Sequence, residues 1–374
     1  MIETYLVQAL VAFVGGAMGA AFSSLFAFVF VALVIALGLG VATSGNTDGL
    51  FVFGFGAFGF YAPQISFAGG AFASAYARWK EYKGPSGQLI SGQDIMTALI
   101  VLKKPDVLIA GGAGGVLSFI YMLIHQKFLS PYMDGVPFAV VATALTAKLA
   151  FDNSLFGIEP AEVKAAGGRF SPKSPVMWLP YVNNGTEKLL WGFIMGLGGA
   201  WLTVRFAANS VTAGVAAYVP FSIAVFSLIG FYMGIAVAPN HHIVYCASLG
   251  VLFFLGYHPE WAKAVSAQVP YDQIDKGLVS AALIWGTVSA IMAAFFADFL
   301  ARCFHLYGSK IGGVHVDPPT LGILATSVFT NWIFAATGCY TSSALSAAVP
   351  AAIMIICIAL AVMDSSKLKA SAAS

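Results

Sequence analysis

Two short runs place polar side chains directly after a proline in otherwise apolar sequence: Ala62-Pro63-Gln64, and Ala238-Pro239-Asn240-His241-His242. Proline removes a backbone donor and clashes with the preceding turn, so each run is expected to interrupt a helix and free carbonyl groups. Where water is absent those carbonyls need another partner, and a polar solute or an ion can serve. Gln64 and Asn240 each add a donor and an acceptor, and His241 and His242 add protonatable nitrogens in the second run alone. Pro63, Gln64, Pro239, Asn240, His241 and His242 are therefore the first candidate binding residues. The plainer reading is a packing kink, with the histidines marking the end of a span.

A second set lies on two further segments. Asp134 precedes a helix expected to start through Pro137, and Asp317 precedes one starting through Pro318-Pro319, so both carboxylates suit helix caps or ion coupling. Deeper in, Thr143 and Thr146 correspond to Thr326 and Thr330, spaced to share a helix face, although hydroxyls in membrane helices commonly bond their own backbone. Lys148 and its counterpart Asn331 complete the set. A lysine within a membrane segment is costly and calls for an anionic solute, a pairing with Asp152 four residues on, or snorkelling to the interface. Arg205 and Asp298 are weaker cases of the same kind. HExxH, GxSxG and P-loop patterns are absent, His125, His258, His305 and His315 are scattered, and the four cysteines stand singly. No catalytic residue, no metal site and no cofactor is expected, apart from H+ or Na+ as a coupling ion.

The elements that must position these residues follow from composition. The 374 residues are 59% hydrophobic and 9% charged, against about 25% charged in soluble domains. The lipid bilayer is the expected main partner, and the net charge of +2 gives no reason to expect nucleic acid. A bilayer core of about 30 Å needs roughly 20 apolar residues per helix. Eleven spans are expected, near 4–22, 23–42, 50–77, 106–128, 136–151, 188–207, 214–235, 239–257, 277–302, 321–339 and 343–363, with a bend near Gly15 to Gly19 or at Ser23-Ser24. The start of the chain lacks the basic region of a secretory signal and is expected to remain in the mature protein. Lysine and arginine gather in 78–105 and 152–187, so these segments are expected to be cytoplasmic, with the N-terminus outside and the C-terminus inside a cell (inner) membrane. Within the first of them, 88–104 is expected to form a helix lying on the membrane surface.

Laid on each other, the halves share an order of features. The Gly-rich run 54–64 matches 230–240 at a shift of 176, Asp134 to Thr143 matches Asp317 to Thr326 at a shift of 183, and Gly115 to Ser118 faces Gly286 to Ser289 between them. Five spans per half invert the second copy. The division expected is a first repeat 1–152, a connecting loop 153–187, an inverted repeat 188–340, and an extra helix and tail 341–374. The fold class is thus all-α and polytopic, with 10 to 11 spans and Pro-broken helices meeting near the midplane.

This five-plus-five plan resembles, at the level of fold, the urea channels and several ion-coupled carriers. The resemblance implies a transporter or channel and transfers no residue. The expected function is passage of a small polar or anionic solute bound between the Ala-Pro breaks, in a homo-oligomer. The alternatives are a non-transporting subunit of a larger complex and, more remotely, an intramembrane metal-dependent enzyme.

Overall fold

The structure, a computed structural model, describes residues 2–44, 48, 49, 52, 62–179, 182–309 and 312–372. The glycine run 54–61 and the first part of the span expected at 50–77 lie outside the described residues. Apart from one bridge between Lys83 and Leu89, the regular structure among them is helical.

The main helices are α1 (Ile2–Phe22), α2 (Ser24–Thr43), α3 (Ser66–Trp79), α4 (Pro105–Ile124), α5 (Gly135–Ala147) and α6 (Gly185–Ala207), then α7 (Tyr218–Phe226), α8 (His241–Gly256), α9 (Pro259–Ser266), α10 (Lys276–Phe304), α11 (Pro318–Ser327) and α12 (Ser343–Ala372). Three of them run on into a wider π turn: α4 at His125–Leu129, α5 at Lys148–Asp152 and α11 at Val328–Ile333. Eight helices among the described residues, α1, α2, α4, α5, α6, α10, α11 and α12 with their extensions, are long and apolar enough to cross a membrane. The chain therefore fits a multi-pass membrane protein.

Eleven spans are expected over the whole chain; that at 50–77 lies partly outside the described residues, which hold its end as α3. Elsewhere the difference has local causes: α8 holds 16 residues, about 24 Å of rise against a core of about 30 Å. Helix α7 tightens after nine residues into a 3-10 stretch, Ser227–Met233. After α8 the chain bends by 94° into α9, because His258, ahead of Pro259, is forced into an extended conformation at φ −116° and ψ 93°. The bend between the first two helices falls at Ser23, whose φ of 82° breaks the spiral and whose hydroxyl accepts from Phe26 N at 3.1 Å.

The surface helix expected over 88–104 does not form. Gly92 interrupts it, Asp94 Oδ1 accepts from the amides of Met96 and Thr97, and only the 3-10 turn Leu99–Leu102 is helical, ended by Lys103 at a left-handed φ of 54°.

The chain divides into two compact units: residues 1–130, 135–164 and 300–321, and residues 131–134, 165–299 and 322–374. In unit 1, α1, α3 and α4 pack backbone to backbone. A Cβ on Gly16 would stand 2.2 Å from Gly111 O, one on Gly19 would stand 1.8 Å from Ser66 O, and Gly69 faces Gly16 and Gly111. Without a hydrophobic drive between helices in lipid, such close approach supplies the packing contacts. In unit 2, α6, α8 and α10 use the same device: Gly199 abuts Val244, Gly250 abuts Trp285 and Ser289, and Gly286 abuts Ala200 and Ala247. Trp285 and Tyr340 fill the rest of that core, with Trp285 Nε1 donating to Ser346 Oγ at 3.1 Å and the Tyr340 hydroxyl to Thr330 O at 3.0 Å. Helix α12 joins α6 through Gly185 N, which donates to Asp364 Oδ2 at 2.9 Å.

Candidate functional site

In unit 1, Pro63 and Gln64 lie in the turn that leads into α3. The carbonyls expected to be freed there are occupied: Ala62 O accepts from Ile65 N and Ser66 N at 2.8 and 2.9 Å, and Pro63 O accepts from Ala68 N at 3.2 Å. The unmet group is instead a side chain. Gln64 is 4% exposed, and its Oε1 has no hydrogen-bond partner among the described residues. Thr143 in α5 is in the same state. Its neighbour Thr146 bonds back to Ala142 O at 2.8 Å and contacts the Tyr121 hydroxyl at 2.7 Å, whereas Thr143 Oγ1 is buried and makes no hydrogen bond.

Lys148 neither snorkels nor faces outward. With Asp152 it forms a fully buried pair at 3.8 Å, and its Nζ donates to Tyr307 O at 2.7 Å. Asp152 in turn accepts from Ser309 N at 2.9 and 3.1 Å. The π turn at the end of α5 is thereby tied to the connection that precedes α11. Asp317 caps α11 as expected, accepting from Thr320 N at 2.9 Å, and it also meets His315 Nε2 at 3.3 Å. The His315 ring packs on Phe67 at 5.8 Å and on His305 at 4.8 Å. Burial holds the His305 pKa well below the ordinary histidine range, the nearby His315 and Lys148 push the same way, and Asp317 opposes them.

In unit 2, Pro239 stands in an irregular stretch before α8, and Asn240 is the residue at the helix start. Its backbone carbonyl accepts from Val244 N at 3.0 Å, but its side chain makes no capping bond, is 9% exposed, and leaves Oδ1 without a partner among the described residues. His241 and His242 are buried beside each other with ring centres 5.8 Å apart, His241 edge-on to Phe221 at 6.2 Å and His242 edge-on to Trp178 at 6.0 Å. One turn on, Tyr245 packs on Phe221 at 5.3 Å and donates its hydroxyl to Asp134 Oδ2 at 2.9 Å. Asp134 N donates to Ser327 Oγ at 3.0 Å, so Asp134 joins α8 to α11 as well as preceding α5.

Thr326 in α11 is buried, beside the Cys246 thiol, and its Oγ1 makes no hydrogen bond to nitrogen or oxygen among the described residues. Thr330 one turn later does bond back, to Thr326 O at 3.2 Å, and donates to Asn331 Oδ1 at 2.9 Å within the π turn. A buried ion pair also ties this unit together: Lys188 Nζ lies 2.6 Å from Asp298 Oδ2.

Within unit 2 the fold thus gathers Asp134, Asn240, His241, His242 and Thr326 around α8. Within unit 1, Lys148 bonds to Tyr307 and Asp317 to His315 in the connection ahead of α11, whereas Gln64 Oε1 and Thr143 Oγ1 have no partner among the described residues. Sequence reasoning missed Tyr245, Phe221 and Trp178 around the histidines, and His305 and His315 beside Asp317. The one local signal was the His315-Val316-Asp317 spacing; the others meet their partners only through tertiary contact.

The sequence model described as "Family of unknown function (DUF7973)" matches residues 1–165 and residues 161–349. The chain belongs to this family. The two matched stretches contain every candidate residue named above, Pro63 to Lys148 in the first and Pro239 to Asn331 in the second, with Asp134 and Asp317 divided between them in the same way. No curated protein and no solved structure matches the chain.

Proposed function

We propose that this DUF7973 chain is a transporter or channel for a small polar solute, built from two halves of inverted orientation. The observation that carries the reading is that, of the buried oxygens with no nitrogen or oxygen partner among the described residues, four fall at positions paired by the shifts of 176 and 183: Gln64 Oε1, Thr143 Oγ1, Asn240 Oδ1 and Thr326 Oγ1. They occupy equivalent positions in the two halves. An unmet buried polar group costs about 1 to 3 kcal/mol, and a chain that carries four in matched places has a use for them. A solute that donates N–H or O–H groups would satisfy them in passing.

The duplication is supported by features internal to each unit. The two family matches are successive, glycine-packed helix trios recur in both units, and Lys148 and Asn331, paired by the shift of 183, both fall in π turns. In this reading 78–105 and 152–187 face the cytoplasm, and H+ or Na+ is the coupling ion. The chain acts without covalent chemistry.

The test is uptake of labelled small solutes (amides, carboxylates, inorganic anions, amines) into proteoliposomes, with and without pH and Na+ gradients. For the solute that enters, Gln64→Ala, Asn240→Ala and Thr326→Val are expected to lower the rate by about tenfold or more each, with folded protein retained. Unchanged uptake in all three variants, or no uptake of any solute by the wild type, would return the chain to the reading in which the repeats are a packing scaffold.

A further inference from the structure

We propose that the connection 80–104 of unit 1 is a docking site for the headgroups of anionic phospholipids. It leaves α3 at Trp79 and enters α4 at Pro105, where a helix long and apolar enough to cross the membrane begins, so that end would stand at the headgroup layer. Between 78 and 106 the chain holds Arg78, Lys80, Lys83, Lys103 and Lys104 against Glu81, Asp94 and Asp106. Two of those carboxylates are engaged in holding the segment together. Asp94 caps the Met96 and Thr97 amides at 2.8 and 2.9 Å, and Asp106 Oδ2 accepts the hydroxyls of Tyr76 and Tyr82 at 3.0 and 2.6 Å. The four lysines are exposed.

Two further features choose a lipid over a soluble anion. The 3-10 turn splits its side chains: Leu99 and Leu102 pack inward with Ala77, Ile90 and Val107, while Ile100 and Val101 stay 56% and 42% exposed immediately before Lys103 and Lys104. Apolar side chains flanked by lysines suit the boundary between acyl chains and phosphates, where each finds its own solvent. The ammonium groups also stand over aromatic rings, Lys80 at 4.7 Å from the centre of Trp79 and Lys104 at 5.3 Å from that of Tyr82, which limits their freedom before a phosphate arrives. A free phosphate would satisfy the lysines and leave Ile100 and Val101 in water.

The experiment uses the full chain in a neutral detergent, with retention of dioleoylphosphatidylglycerol and dioleoylphosphatidylcholine compared by native mass spectrometry. The wild type is expected to prefer the anionic lipid, and each of Lys83→Gln, Lys103→Gln and Lys104→Gln to weaken its retention by about fivefold. Ile100→Ser with Val101→Ser is expected to weaken it too, and glycerol phosphate at equal concentration to compete poorly. All these positions are exposed, so the variants should unfold at the wild-type temperature. Equal retention of the two lipids, an undiminished preference in the triple glutamine variant, or displacement by glycerol phosphate would each overturn the proposal.

Discussion

Lys148 and Asp152 place opposite charges one turn apart in a site closed to solvent, and both have partners from the 305–317 connection as well as each other. Removing one partner leaves an uncompensated buried charge. Lys148→Met is therefore expected to destabilise the protein by about 3 to 5 kcal/mol, and Lys148→Met with Asp152→Asn by distinctly less, measured by denaturant unfolding in detergent. Thr326→Val is the opposite case. The hydroxyl makes no hydrogen bond to nitrogen or oxygen that the substitution would remove, so stability should stay within about 1 kcal/mol while uptake falls. His305 gives a pH dependence with a definite sign. Its folded pKa is depressed by burial, so the unfolded chain binds a proton more readily and stability falls as the pH drops below the ordinary histidine value of about 6.5. His305→Gln should flatten that acid limb of thermal stability between pH 7.5 and 5.5.

At the scale of elements, glycine positions that look alike in sequence have different duties. Gly19 lets Ser66 at the start of α3 approach α1, and a Cβ there would lie 1.8 Å from the Ser66 carbonyl. Gly198 in α6 has nothing within 4 Å of its Cβ position. Gly19→Ala should cost about 1 to 3 kcal/mol, more if α3 cannot shift, and Gly198→Ala should gain about 0.5 to 1 kcal/mol. Thermal unfolding of the two variants side by side decides it. Helix ends were legible locally. Asp317 caps α11, Ser23 separates α1 from α2, and Pro259 imposes the bend after α8, each acting on residues within a few positions of itself. The 88–104 segment departs from the expected helix: its apolar spacing fits an amphipathic one, yet Leu99 and Leu102 are held by Ala77, Ile90 and Val107, and the turn closed by Asp94 on Met96 and Thr97 serves this packing.

For the molecule as a whole, the inverted duplication proposed above makes a topological prediction. In a background without native cysteines, Lys83→Cys and Gln268→Cys should react with an impermeant maleimide from opposite sides of the membrane. Labelling from one side would refute the inversion while leaving the two family matches in place. Residence in the membrane was determined by the sequence alone, because long apolar runs with few charges have no other favourable solvent. The turn ahead of α3 at Pro63 and the irregular stretch ahead of α8 at Pro239 likewise depend on residue order and local stereochemistry. Only the tertiary structure decided that Lys148 is spent on Tyr307, 159 residues away, that Tyr245 holds Asp134, and that the side-chain oxygens of Gln64, Thr143, Asn240 and Thr326 are among the buried groups with no nitrogen or oxygen partner in the described residues. Whether a buried side chain is satisfied depends on which distant atoms packing brings within about 3 Å, and no local pattern encodes that.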